Sequence, residues 1–207
     1  MFRDRNDAAD RLARALESFS GKSALVLAIP RGAVPMGRRI AQALGGDLDV
    51  VLVRKIGAPY QRELALGAID EEGGMHWASP EAAHSVDPMW LEHEKHDQLE
   101  LLRQRRERYR AGRPPIDPQG RITIVVDDGL ATGSTMIAAL HATRARSPSH
   151  LICAVPVAAP ESLERVSPYA DEVVCLEAPE DFRAVSLHYE HFEQVDDADV
   201  ERLLAGR

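Results

Sequence analysis

The stretch Val125-Val126-Asp127-Asp128-Gly129-Leu130-Ala131-Thr132-Gly133-Ser134-Thr135 passes from the end of an apolar run, through two carboxylates, into a small hydroxyl-rich turn. The run over 122–126 is too short for a helix and rich in β-branched residues, so it reads as a buried parallel strand. Helical spacing resumes over 135–146. A turn of small residues between a strand and a helix presents first-turn N–H groups to a ligand, and here hydroxyls stand among them, which makes a phosphate cradle. The paired carboxylates just upstream are suited to accept hydrogen bonds from hydroxyls or to help hold a cation. A sugar diol with a 5′-phosphate meets both demands.

On either side the same alternation of strand and helix continues. Ala8, Leu12, Ala15, Leu16 and Phe19 recur at helical spacing after Asp7, a suitable cap. Residues 23–29 form an apolar run closed by Pro30, 34–44 return to helical spacing and stop at Gly45-Gly46, and 48–53 are again strand-like. That order is a βαβ unit. Residues 55–66 lose all period and contain Gly, Pro and charge, so they read as a mobile loop. Residues 67–69 and 75–78 flank a turn-rich stretch suited to a hairpin, and 87–110 read as one long helix capped by Asp87 with Pro88 at its first position. Strands over 151–157 and 172–176, a short helix over 161–166 and a last helix from about Asp197 complete an α/β pattern. Its expected form is a parallel-sheet core flanked by helices on both faces.

The chain has 207 residues, 44% of them hydrophobic and 28% charged, which excludes wholesale disorder. A net charge of −8 argues against general affinity for nucleic acid or anionic membrane, so anion binding must come from local groups. The N-terminus lacks an apolar signal core and no stretch approaches the ~18 apolar residues of a membrane span, so a cytoplasmic protein is expected. Cys153 and Cys175 sit in apolar runs and read as reduced, buried thiols. The glycine spacing of Gly32-Ala-Val-Pro-Met-Gly37 imitates a nucleotide P-loop, but Arg38 and Arg39 stand where lysine and a hydroxyl are required. No G-x-G-x-x-G follows a strand either.

Residues 125–135 closely resemble the 5-phosphoribosyl-1-diphosphate signature of type I phosphoribosyltransferases, and a weaker resemblance extends over most of 20–160. The resemblance implies a single domain over 1–207. Its core would lie at about 20–74 and 119–160, with a hood from about 75–118 and 161–207. It implies that Asp127 and Asp128 hold the ribose hydroxyls and contact Mg²⁺, directly or through water. By the same resemblance Ala131, Thr132, Gly133, Ser134 and Thr135 hold the 5′-phosphate, and Gly129 belongs to the same substrate-binding segment. Pro30-Arg31-Gly32-Ala33 matches a diphosphate loop that in the family often contains a non-proline cis peptide. Arg54 and Lys55 match a basic pair at the diphosphate, and residues 56–66 a flexible loop that closes over the reaction. Ala131 stands where 6-oxopurine transferases carry an aspartate, as in the adenine and orotate types, which disfavours hypoxanthine or guanine. Glu63 is then the candidate for handling the acceptor's proton.

The expected activity is transfer of the phosphoribosyl group to a nitrogenous base or related nucleophile with release of diphosphate. Arg31, Lys55 and Mg²⁺ would neutralise the leaving group, Asp128 would grip the sugar, and the setting would be nucleotide salvage or biosynthesis. The alternative is a non-catalytic module that senses phosphoribosyl diphosphate or nucleotides. The leaving-group residues favour the enzyme, because a sensor does not need them. Phe182, Tyr189 and Phe192 are candidates to stack on a base or to pack the core. The basic run from Arg103 to Arg113 reads as a solvated face or a subunit contact, with a homodimer expected.

Overall fold

The computed structural model describes residues 1–77, 79, 81–82 and 85–206, the side chains of 62–65 excepted. In chain order the elements are α1 (Arg5–Ala15), β1 (Leu25–Ala28), α2 (Val34–Leu44), β2 (Asp47–Val50), β3 (Val53–Ala58), β4 (Gln61–Asp70) and β5 (Met75–Trp77). They continue with α3 (Pro88–Arg110), β6 (Ile122–Val126), α4 (Ser134–Ala145), β7 (His150–Val157), α5 (Pro160–Val166), β8 (Glu172–Glu177) and α6 (Asp197–Ala205).

Five strands form one sheet in the order β2-β1-β6-β7-β8, and every neighbouring pair is parallel. Successive side chains of a strand point to opposite faces, so each strand feeds two cores. Val26, Ala28, Ile124, Val126, Ile152 and Ala154 pack with α1, α2, α3 and α6. Leu25, Leu27, Val125, Leu151, Cys153 and Val155 pack with α4 and α5. The expected α/β fold with helices on both faces is therefore observed. Burial pushes the thiol of half-buried Cys175 up to about 11 and raises that of Cys153 as well, so neither is ionised near neutral pH.

Three elements differ from the sequence expectation. The strand expected over 48–53 ends at Val50, and Val53 opens a separate three-stranded sheet, β3-β4-β5, rather than extending the core. The mobile loop expected over 56–66 is instead largely an antiparallel hairpin, with Val53 paired to Asp70 and register shifts at Gly57. Gly57 and Pro59 break the period that would announce strands. Finally, α1 is capped by Asp4, whose Oδ1 accepts from the Asp7 N–H at 2.8 Å. Asp7 lies inside the helix and pairs with Arg11 at 2.7 Å.

The long helix α3 begins as expected, with Asp87 Oδ1 accepting from Trp90 N at 2.9 Å. Its basic run is not one solvated face. Arg110 is buried, with Nε 3.2 Å from Asp49 Oδ1, Nη2 donating to Val50 O at 2.9 Å and Nη1 bonded to Glu71. Asp49 also accepts from the Val50 and Ile116 amides at 2.8 Å each. This cluster joins the end of α3 to β2 and to the turn between β4 and β5.

Candidate functional site

β1 and β6 are neighbours in the sheet, with Ala28 opposite Val126, so the turns that follow them lie side by side at the carboxyl edge. This is where open parallel sheets collect ligands. The first turn is tied to the second strand by Ile29 N donating to Val126 O at 3.0 Å, and its Pro30-Arg31 peptide is cis. Next comes Gly32, and a Cβ there would lie 2.2 Å from Asp128 Oδ2. No larger residue fits without moving that carboxylate.

Asp127 and Asp128 are arranged unequally. Asp127 Oδ1 accepts from Asp128 N at 2.9 Å, and burial followed by the charge of Asp128 pushes its carboxyl well above the usual carboxylate range. Asp128 Oδ2 instead receives Nε and Nη2 of Arg5 at 3.0 and 2.8 Å. The Asp128 carbonyl accepts from the Tyr189 hydroxyl at 2.7 Å. Arg5 is itself held in place: its Cζ stands 3.8 Å from the Phe192 ring centre and its Nη1 donates to Glu193 O at 2.5 Å. Of the aromatic trio, Tyr189 is buried between Phe2 and Phe192, and Phe182 stacks on His188, so packing accounts for these rings. No local signal in the sequence marks Arg5. It sits in the charged run Arg3-Asp4-Arg5, 123 residues from its partner.

The second turn is anchored at both ends. Leu130 N donates to Val157 O at 2.9 Å, and the Ser162 hydroxyl donates to Ala131 O at 2.7 Å. Gly133 takes a left-handed φ of 73° and starts α4, whose first-turn N–H groups have no intrahelical partners. The hydroxyls of Thr132 and Ser134 are 3.3 Å apart, and Ala131, Thr132 and Thr135 face solvent.

A cleft of about 310 Å³ opens beside these turns, lined by Pro30, Arg54, Lys55, Arg105 and Thr135 among others. Arg54 Nε donates to Gln98 Oε1 at 2.7 Å, and burial followed by the charge of Arg105 lowers the pKa of its guanidinium. Arg31 is turned toward α6, its Nη1 3.7 Å from Asp197 Oδ1. Asp197 also accepts from the Tyr109 hydroxyl at 2.5 Å and from Arg108 at 2.9 Å, and these donors hold its carboxyl below the usual range. Burial and Asp197 together push the Tyr109 phenol up to about 12. Glu63 falls in 62–65, whose side chains lie outside the described residues.

Among the described residues no group of three or more His, Cys, Asp or Glu forms a metal cage. Asp127 and Asp128 each keep one carboxylate oxygen without a hydrogen bond from a described residue. Two hard oxygen donors beside the hydroxyl-lined start of α4 fit magnesium, which takes one or two carboxylates and completes its shell with other oxygens. No described helix is long and apolar enough to cross a membrane.

A family model for the phosphoribosyl transferase domain matches residues 4–191. Two Mycobacterium tuberculosis proteins provisionally named phosphoribosyl transferases, MT0597 and Rv0571c, are each 42% identical over 202 residues. The match takes in 97% of this chain and 45% of theirs, so the chain spans less than half the length of these curated relatives. The crystal structure of TT1426 from Thermus thermophilus is 46% identical and superposes with a TM-score of 0.92, covering 99% of this chain and 98% of that one.

Proposed function

The chain belongs to the phosphoribosyl transferase domain family, and from that membership we propose that it transfers the 5-phosphoribosyl group of 5-phosphoribosyl-1-diphosphate to a nitrogenous base or related nucleophile, with magnesium present. The observation that carries this reading is the convergence of Asp127, Asp128 and Gly32 between the hydroxyl-lined start of α4 and the cationic cleft. One site then offers acceptors for sugar hydroxyls, amides for a 5′-phosphate and cations for a leaving diphosphate.

In the proposed reaction the C1–O bond to diphosphate breaks, its electron pair leaves with the diphosphate, and the nucleophile bonds to C1 and gives up a proton. Positive charge develops on the sugar, so the protein's tasks are to neutralise the leaving group, hold the ribose and exclude water. Asp127 and Asp128 hold the ribose hydroxyls, while Ala131, Thr132, Gly133, Ser134 and Thr135 hold the 5′-phosphate, and Gly129 completes the same segment. Arg31, Gly32, Arg54 and Lys55 hold the diphosphate. Asp127 and Asp128 would also hold magnesium, which when bound supplies positive charge to diphosphate oxygens. Glu63 is the proposed acceptor of the nucleophile's proton. Alanine at 131, where 6-oxopurine transferases carry an aspartate, disfavours a 6-oxopurine acceptor.

A cytoplasmic role in nucleotide salvage or biosynthesis belongs to the same proposal. So does a homodimer through α3, where Met89 and Leu101 stand in solvent. The test is diphosphate release from phosphoribosyl diphosphate and Mg²⁺ against a panel of bases. Turnover with one base supports the enzyme, tight binding without turnover across the panel supports the sensing alternative, and absence of binding overturns both.

A further inference from the structure

The arginines of α3 divide by what they touch. Arg103 lies 3.9 Å from Glu100, Arg108 pairs with Asp197 and Glu201, and Arg110 is enclosed by Asp49 and Glu71. Arg105 and Arg106 are half-buried and make no hydrogen bond or ion pair with any described residue. Of these two, only Arg105 lines the cleft, where it faces Arg54, Lys55, Pro30 and Thr135.

A guanidinium without a direct ion-pair partner, set against other cations in a partly desolvated cleft, costs free energy that an entering anion relieves. Burial, and after it the charge of Arg105, lowers the pKa of the Arg54 guanidinium. Asp197, 3.7 Å from Arg31, also acts through space on Arg105, but among the described residues no carboxylate stands within ion-pair distance of Arg105. Arg105 thus stands at the cleft wall without a direct counter-ion, beside Arg54 and Lys55.

We propose that Arg105 binds the diphosphate of the substrate, so that α3, a hood helix, supplies part of the leaving-group site together with Arg54 and Lys55 of β3. A planar guanidinium fork matches two phosphate oxygens at once, which a lysine at the same place does not. This assignment rests on the phosphoribosyl-transfer reading above, and its test separates the two.

The test is titration calorimetry on the full chain with inorganic diphosphate plus Mg²⁺ and, separately, with ribose 5-phosphate. Arg105→Ala is expected to weaken diphosphate binding by about 10- to 100-fold and to leave ribose 5-phosphate within about 2-fold. Arg105→Lys recovers part of the loss, and Arg106→Ala on the same helix changes neither ligand. If the alanine variant does not fold by circular dichroism, Arg105→Lys and Arg105→Gln carry the comparison, with Gln expected to be the weaker binder. Undiminished diphosphate binding in the folded Arg105 variants, or an equal loss in Arg106→Ala, overturns the assignment and leaves the proposed function intact. Wild-type protein that binds neither ligand overturns the proposed function itself.

Discussion

Arg5 directs both Nε and Nη2 onto a single oxygen of Asp128, Oδ2, at 3.0 and 2.8 Å, and leaves Oδ1 without a donor among the described residues. The pair is largely buried, at 12% and 17% side-chain exposure. The guanidinium is restrained from two further directions, by Phe192 and by Glu193 O. Such a clamp fixes the orientation of the Asp128 carboxylate.

If the proposed sites are right, Arg5→Ala is expected to weaken ribose 5-phosphate about 10-fold and to leave inorganic phosphate, assigned to the turn at α4, unchanged. It should also destabilise the fold by about 3 kcal/mol, because it strands a mostly buried carboxylate next to Asp127. Calorimetry and urea unfolding check the two parts separately.

Asp127 gives a pH dependence whose sign follows from its raised pKa. Burial and Asp128 keep its carboxyl protonated in the folded chain at pH values where the unfolded chain has already ionised. The resulting stability is present below the unfolded value of about 3.9 and is lost as pH rises toward the folded value. Relative to Asp127→Asn, which cannot titrate, wild-type melting temperature should fall from about pH 4 upward and then run parallel once both states are ionised. A constant difference across pH 4 to 8 would count against the unequal pair.

Gly32→Ala tests the close approach of the two turns. Its Cβ would sit 2.2 Å from an oxygen that Arg5 holds in place, so the carboxylate cannot simply swing aside. Overpacking of this kind costs about 1–3 kcal/mol, and binding of ribose 5-phosphate should be lost along with it. A variant that binds normally would mean the turn relaxes more readily than its hydrogen bonds suggest.

The cluster at Arg110 tests stability away from the site. Asp49→Ala leaves a buried guanidinium without one of its two carboxylates and removes the acceptor for the Ile116 amide, an expected loss of about 3–5 kcal/mol. Replacing Arg110, Asp49 and Glu71 together by apolar residues of similar volume should cost much less. Denaturant midpoints of the single and triple variants decide between them.

Much of this arrangement is legible in the sequence because its signals are local. Helical spacing over 34–44 matches α2, Val34–Leu44, and Asp87 and Pro88 mark the start of α3 correctly. The turn after β6 announces itself through adjacent carboxylates, glycine and hydroxyls. What cannot be read depends on contacts made across the fold. Nothing near Arg5 tells that it meets Asp128, and Arg105 looks like its neighbours until the tertiary structure gives each arginine of α3 a different environment. The β3–β4 hairpin escapes for a different reason: Gly57 and Pro59 erase its alternation, and its partner strand, not its own sequence, supplies the order.

The pairing of Ala28 with Val126 has a practical corollary. Adjacent strands are about 4.8 Å apart wherever a sheet forms, so the sheet acts as a ruler between the loop at Gly32 and the carboxylates at 127 and 128. Much of the surrounding cover, from α3 and the C-terminal segment, is built from separate stretches of chain. Redesign of that cover can therefore proceed while the spacing between the two turns stays the same.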